Sequence, residues 1–251
     1  MPDSASRVIV ALDVPTLPEA ADLARRLAPH VAAAKIGSQL FTAEGPRAIQ
    51  TMRDLGLRVF LDLKFHDIPN TVAGAVQAAT RLGVWMVNVH CSGGPAMLGA
   101  ARAAADAAGP VSPGTTGRPI LLGVTVLTSL NEAGLRHTLG TTRTLRDQVI
   151  HLAREAESAG LDGVVASPHE IADIRKSCRP GFLIVTPGVR PAEADRGDQQ
   201  RVLTPGQAIR AGADYVVVGR PILAAPDPVE AARSISQECL AAERDRRVES
   251  C

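Results

Sequence analysis

Apolar residues gather in short runs rich in β-branched side chains, at Arg7–Leu12, Ala33–Gly37, Arg58–Leu63, Trp85–His90, Ile120–Leu127, Gly163–Ser167, Leu183–Thr186 and Tyr215–Gly219. Runs of this length that do not alternate with polar residues predict strands covered on both faces. Between them, apolar positions recur at helical spacing over Leu17–Leu27, Ala43–Leu55, Thr71–Leu82, Pro95–Ala108, Arg143–Gly160, Pro168–Lys176, Gln207–Ala211 and Val229–Arg244. Eight short strands alternating with helices predict an α/β fold with parallel pairing through right-handed crossovers, and eight strands are the number that closes a (β/α)8 TIM barrel. An open, doubly wound sheet is the alternative. Two stretches break the rhythm: Gly109–Pro119, which reads as a surface loop, and the long polar Pro191–Gly206, which follows the seventh strand. A long loop at that place is a candidate lid, because barrel enzymes keep their chemistry on the rim formed by the carboxyl ends of the strands. No domain boundary is visible; residues 1–251 read as a single domain, with Ala241–Cys251 as a charged, frayed helix end.

Composition agrees with buried parallel strands. Apolar residues make up 45% of the 251 positions and aromatics only 2%, so the core must be built from Val, Ile, Leu and Ala. A formal charge of +1, with no basic run interleaved with aromatics, argues against a nucleic-acid or anionic-membrane partner. Cys91, Cys178, Cys239 and Cys251 have no metal-finger or C-x-x-C spacing and read as free thiols in a reducing, cytoplasmic setting. Met1–Arg7 leads only into the short run Val8–Leu12, so neither a secretory segment nor a membrane span is expected.

Polar residues interrupt the pattern at the carboxyl ends of nearly all the strands: Asp13, Lys35, Asp62, Lys64, His90, Thr128, Ser129, Ser167, Arg190 and Arg220. Any one alone reads as a solvated strand end; their convergence on one rim is what a barrel active site needs. The sharpest cluster is Asp62-Leu-Lys64-Phe-His-Asp67. A period of two places Asp62 and Lys64 on one face of the third strand, with Asp67 in the loop beyond. A structural ion-pair network is the competing reading. The net negative charge around one ammonium favours chemistry: it repels a substrate carboxylate and keeps Lys64 protonated, which suits loss of CO2 followed by protonation of the carbanion. Thr186-Pro-Gly-Val-Arg190 and Val218-Gly-Arg220-Pro-Ile222, after the seventh and eighth strands, offer glycine-freed amides and guanidinium groups for a phosphate. His66 and His90 lack metal-ligand spacing, so no metal is expected.

At these residues the chain resembles the orotidine 5′-phosphate decarboxylases, from Val10-Ala-Leu-Asp13 through Val218-Gly-Arg220-Pro-Ile222. The most specific part is Asp62-Leu-Lys-Phe-His-Asp-Ile-Pro-Asn-Thr71, supported by Leu127-Thr-Ser129, Pro187-Gly-Val-Arg190 and Gly197-Asp-Gln199. The D-x-K-x-x-D core is shared with similar barrels acting on sugar phosphates, such as 3-keto-gulonate 6-phosphate decarboxylases and hexulose-phosphate synthases; Ile68-Pro-Asn-Thr71 sets the chain apart from them. The resemblance implies decarboxylation of orotidine 5′-monophosphate to UMP with no cofactor. It implies that Asp13 and Lys35 hold the ribose, Lys64 protonates C6, and Asp62 and Asp67 complete the charged array. Thr128 and Ser129 would face the pyrimidine, and Arg190, Gln199, Gly219 and Arg220 the phosphate. It further implies a homodimer in which Asp67 and Thr71 reach the neighbouring subunit's site. A Schiff-base aldolase using Lys64 as nucleophile, a related sugar-phosphate decarboxylase and a non-catalytic phosphate-ester sensor are the alternatives.

Overall fold

The computed structural model describes residues 6–107, 117–190 and 203–249, with side chains to 246. Most of the Gly109–Pro119 and Pro191–Gly206 stretches, Gln199 among them, and Cys251 lie outside the described residues. Eight parallel strands close into a barrel in chain order: β1 Val8–Ala11, β2 Ala33–Gly37, β3 Val59–Phe65, β4 Met86–His90, β5 Ile120–Val124, β6 Gly163–Val165, β7 Leu183–Pro187 and β8 Tyr215–Val218. Closure falls at β1, which pairs Ile9 with Ala33 of β2 on one side and Val8 with Val216 of β8 on the other. Every residue of β1 and β2 is buried, as strands covered on both faces require. With so few aromatics, the bulkiest fully buried side chains are Phe60 and Phe182, set among Ile, Leu and Met.

The helices are α1 Leu17–Leu27, α2 Ser38–Glu44, α3 Pro46–Asp54, α4 Pro69–Arg81, α5 Gly94–Ala107, α6 Glu132–Leu139, α7 Leu145–Ser158, α8 Ile171–Ser177, α9 Pro205–Ala211, α10 Arg220–Leu223 and α11 Pro228–Glu249. Some of their starts are capped by side chains: Thr16, Thr144 and Thr204 each accept from a backbone amide three residues on. The helix expected over Ala43–Leu55 is two helices. Gly45, at φ 60° and ψ −148°, takes a conformation that a side chain resists, and Pro46 begins α3. The fifth strand stops at Val124, three residues short of the expected Leu127. There Thr125 turns both its amide and its hydroxyl to the carbonyl of Val165.

By packing density the chain divides into two compact units, Met1–Asp62 with Thr186–Cys251, and Leu63–Val185. In the first, α11 corrects the expectation of a frayed end from Ala241. Glu243 is buried and receives two hydrogen bonds from Arg7, Arg210 meets Asp245 at 3.0 Å, and Arg246 donates to the carbonyl of Ile209 at 3.0 Å. In the second unit, Asp162 accepts from Arg118 at 2.6 and 2.8 Å, from Arg102 at 3.3 Å and from the amide of Leu121 at 2.8 Å. Asp106 pairs with the same two arginines, at 2.6 Å to Arg102 and 2.9 Å to Arg118. Among the described residues no helix is long and apolar enough to cross a membrane.

Candidate active site

The first unit holds a pocket of about 300 Å³ lined by Ala11, Asp13, Lys35, Asp62, Pro187–Arg190, Val217 and Gly219–Pro221. Five of the polar positions singled out from the sequence therefore meet there, Asp13, Lys35, Asp62, Arg190 and Arg220, together with Gly219. Lys35 is delivered by β2 and is nearly buried, and its ammonium lies 3.0 Å from an oxygen of Asp13 and 3.4 Å from one of Asp62. One cation facing two carboxylates leaves this wall with a net charge of −1. The attraction, of the order of 4 kcal/mol gross per close pair at an effective dielectric of 20, offsets the desolvation of Lys35 and Asp62.

Gly37, two residues beyond Lys35, makes the arrangement possible. A Cβ there would stand 2.9 Å from the Lys35 ammonium and 3.1 Å from Asp13. The lining also carries two guanidinium groups. The strand β7 ends in the turn Pro187-Gly188, and Arg190, held by its amide to the carbonyl of Leu203 at 3.2 Å, faces the pocket with Arg220, the exposed first residue of α10. Guanidinium groups and an ammonium–carboxylate array in one lining suit a phosphate ester that also carries hydroxyl groups.

Lys64, Asp67, Thr71, Thr128 and Ser129 belong to the second unit. The rule of strict alternation along β3 fails at Lys64, whose backbone is left-handed at φ 53°; its amide donates to Oδ1 of Asn88, at 2.8 Å. Residues 66–71 are all exposed, Ile68 at 67%, and Asp67 accepts from the Ile68 amide at 2.6 Å. Thr128 and Ser129 are exposed in the turn after β5. The rings of His66 and His90 pack with centroids 5.4 Å apart. Among the described residues no group of three or more His, Cys, Asp or Glu is placed to hold a metal ion. At the end of β6, Ser167 and Glu170 form a reciprocal helix cap, with the Ser167 amide 2.9 Å from the Glu170 carboxylate. Burial nevertheless pushes the Glu170 carboxyl up to about 7, against that hydrogen bond.

The model of the orotidine 5′-phosphate decarboxylase / HUMPS family matches residues 6–235. The chain belongs to this family. Among curated relatives, the orotidine 5′-phosphate decarboxylase of Moorella thermoacetica is 56% identical over 92% of this chain and 91% of its own length. That of Syntrophotalea carbinolica is 53% identical over 96% and 97%. A crystal structure of orotidine 5′-phosphate decarboxylase from Lactobacillus acidophilus superposes with a TM-score of 0.82 at 36% identity, over 93% of this chain and 99% of that one. Two residues beside these positions escaped the sequence reading. Gly37 carries no polar signal, and Asn88 stands inside the apolar run Met86-Val-Asn-Val-His90, where a lone amide was the available clue.

Proposed function

We propose that the chain converts orotidine 5′-monophosphate to UMP and CO2, the last step of de novo pyrimidine nucleotide synthesis. The carrying observation is the Lys35–Asp13–Asp62 array in a pocket whose lining also includes Arg190 and Arg220. In this reading Arg190, Gly219 and Arg220 hold the phosphate, with Gln199 from outside the described residues. Asp13 and Lys35 hold the ribose, and Thr128 and Ser129 face the pyrimidine. Asp62 and Asp67 flank the substrate carboxylate. The C6–carboxylate bond breaks heterolytically, CO2 leaves, the electron pair stays on C6, and Lys64 transfers a proton to it; water later returns a proton to Lys64. Binding energy from the remote phosphate offsets the repulsion at the carboxylate, which is relieved as the bond breaks. No cofactor takes part. The reading also takes the chain as one catalytic domain acting in the cytoplasm.

The reading includes a homodimer in which Asp67 and Thr71 enter the partner's site, and the exposed run 66–71 with the apolar Ile68 at its centre supports it. The activity is tested by following loss of orotidine 5′-monophosphate in the presence of a chelator, for the parent protein and for Lys64→Ala. Turnover that survives chelation and is abolished in the variant is expected; a substrate-sized adduct on Lys64 after borohydride would replace the reading with an aldolase. Shared sites are tested by mixing Lys64→Ala and Asp67→Ala proteins under subunit exchange. With random exchange half the dimers are mixed and each has one intact site of two, so activity rises to about a quarter of the parent's. Activity that stays at the level of the single variants after confirmed exchange assigns Asp67 to its own chain.

A further inference from the structure

We infer that Asn88 is a positioning residue for the reaction, holding Lys64 in the backbone conformation from which its ammonium reaches the substrate; this rests on the reading of Lys64 as proton donor. Lys64 is the one non-glycine residue with a left-handed φ among the described residues. That conformation is disfavoured for any residue with a Cβ, and lysine has no short polar side chain that could bond locally to stabilise it, as asparagine or aspartate does. The support comes from another strand. The amide of Lys64 donates to Oδ1 of Asn88, 24 positions along the chain in β4, at 2.8 Å.

Asn88 is itself fully buried, as are Met86, Val87 and Val89 around it, and it pairs in register with Leu122 of β5. A primary amide in such a place is costly unless it is hydrogen-bonded, so an apolar residue would serve the core better. The amide is therefore explained by what it accepts. Its oxygen must face the donor, which fixes the orientation of the Asn88 side chain. The direction in which the Lys64 side chain leaves β3 follows from its φ, and its φ is held by Asn88.

The test compares Asn88→Leu, which keeps the branching at Cγ and removes the acceptor, with Asn88→Asp, which keeps an oxygen acceptor, and assays Lys64→Ala alongside. Misplacement of a reacting group by a fraction of an ångström to an ångström lowers kcat by about 10- to 100-fold. That loss is expected for the leucine variant, with KM for orotidine 5′-monophosphate and Kd for UMP within about threefold of the parent, because phosphate and ribose contacts do not pass through Asn88. The aspartate variant is expected to recover most of the loss. Leucine and aspartate variants equally impaired, a leucine variant with unchanged kcat, or a loss residing in KM would each overturn the inference. Should the leucine variant not fold, Asn88→Ala takes its place under the same criteria. A fully active Lys64→Ala protein would overturn the proton-donor reading and this inference with it; an inactive Lys64→Ala beside an unimpaired Asn88→Leu would overturn this inference alone.

Discussion

Two clusters of charge, one in each unit, pair basic side chains with aspartates to opposite ends. In the second unit Arg102 and Arg118 meet Asp106 and Asp162 in equal numbers, and Asp162 collects four hydrogen bonds from side chains and backbone. Burial alone would push the Asp162 carboxyl up; the Arg118 hydrogen bonds, the Leu121 amide and the two guanidinium charges outweigh it and hold the carboxyl below the usual range. In the first unit one ammonium serves two carboxylates, and the trio lines a pocket. Balanced charge with filled hydrogen-bonding capacity is a staple. Unbalanced charge beside a cavity is a site waiting for a ligand to complete it.

The largest expected effect separates the two. Lys35→Ala removes the only cation of the trio and leaves two carboxylates uncompensated in the pocket, so a roughly 10²–10³-fold drop in kcat/KM is expected. Asp162→Ala should leave kcat/KM within about threefold. With the Arg118 side chain one third exposed, its stability cost is discounted to about 2 kcal/mol, a fall in Tm of about 4–8 °C. Steady-state kinetics and calorimetry on both variants check this, and an Asp162→Ala protein as inactive as Lys35→Ala would erase the distinction.

The distinction was only half legible in the sequence. Apolar runs marked all eight strands because strands covered on both faces leave few polar positions to confuse the pattern. The helices α2 and α6 bury one residue each, Leu40 and Leu135, so neither carries a stripe that periodicity could detect. The charged end of α11 read as solvated, because charge pattern along one helix does not reveal the carbonyls of Ile209 and Ala213 that receive Arg246. Lys35 stood out as a cation inside a buried strand. The left-handed backbone of Lys64 did not, because it depends on Asn88, a residue distant in sequence.

A smaller effect is expected at Gly37, where the pocket wall is perturbed without removing any charge. Gly37→Ala places a methyl group 2.9 Å from the Lys35 ammonium, which must shift by a few tenths of an ångström. A loss in kcat/KM of about 10-fold is expected. Circular dichroism and Tm should stay near the parent's; full activity would mean that Lys35 tolerates displacement and that its geometry matters less than its charge.

The third prediction concerns pH and sharpens what a balanced cluster means. Asp162 is lowered in the fold, so its contribution is present above the usual carboxylate range and is lost as pH falls through its folded value. Glu170, half-buried and raised to about 7 by its desolvation, has the opposite sign. Between about 4.3, the ordinary glutamate value, and 7 the folded chain binds more protons at Glu170 than the unfolded chain does, so stability declines as pH rises through that window. Comparing Tm at pH 5 and pH 8 for the parent and Glu170→Gln, the parent should lose more on going to pH 8. Parallel losses in the two proteins would show that Glu170 titrates normally.

The smallest expected effect uses thiols as reporters of local opening in each unit. Cys91 in the second unit and Cys239 in the first are buried, and burial pushes both thiols up to about 12. Cys178 is half-buried, and burial, followed by Glu157, pushes its thiol up to about 11 against three nearby arginines. At pH 8 all three hold little thiolate, so iodoacetamide should modify native protein slowly, Cys178 first, and reach the two buried thiols only through opening of the structure. Asp162→Ala loosens the cluster that ties α5 to the chain around β5 and β6, so it should speed labelling of Cys91, which follows β4 in the same unit, by severalfold. Cys239 should label at the parent's rate, and Lys35→Ala should speed neither. Peptide mapping separates the sites and sets aside Cys251. Equal acceleration at Cys91 and Cys239 in Asp162→Ala would mean that the unit containing the staple does not open on its own, and that its stabilisation is shared by the whole barrel.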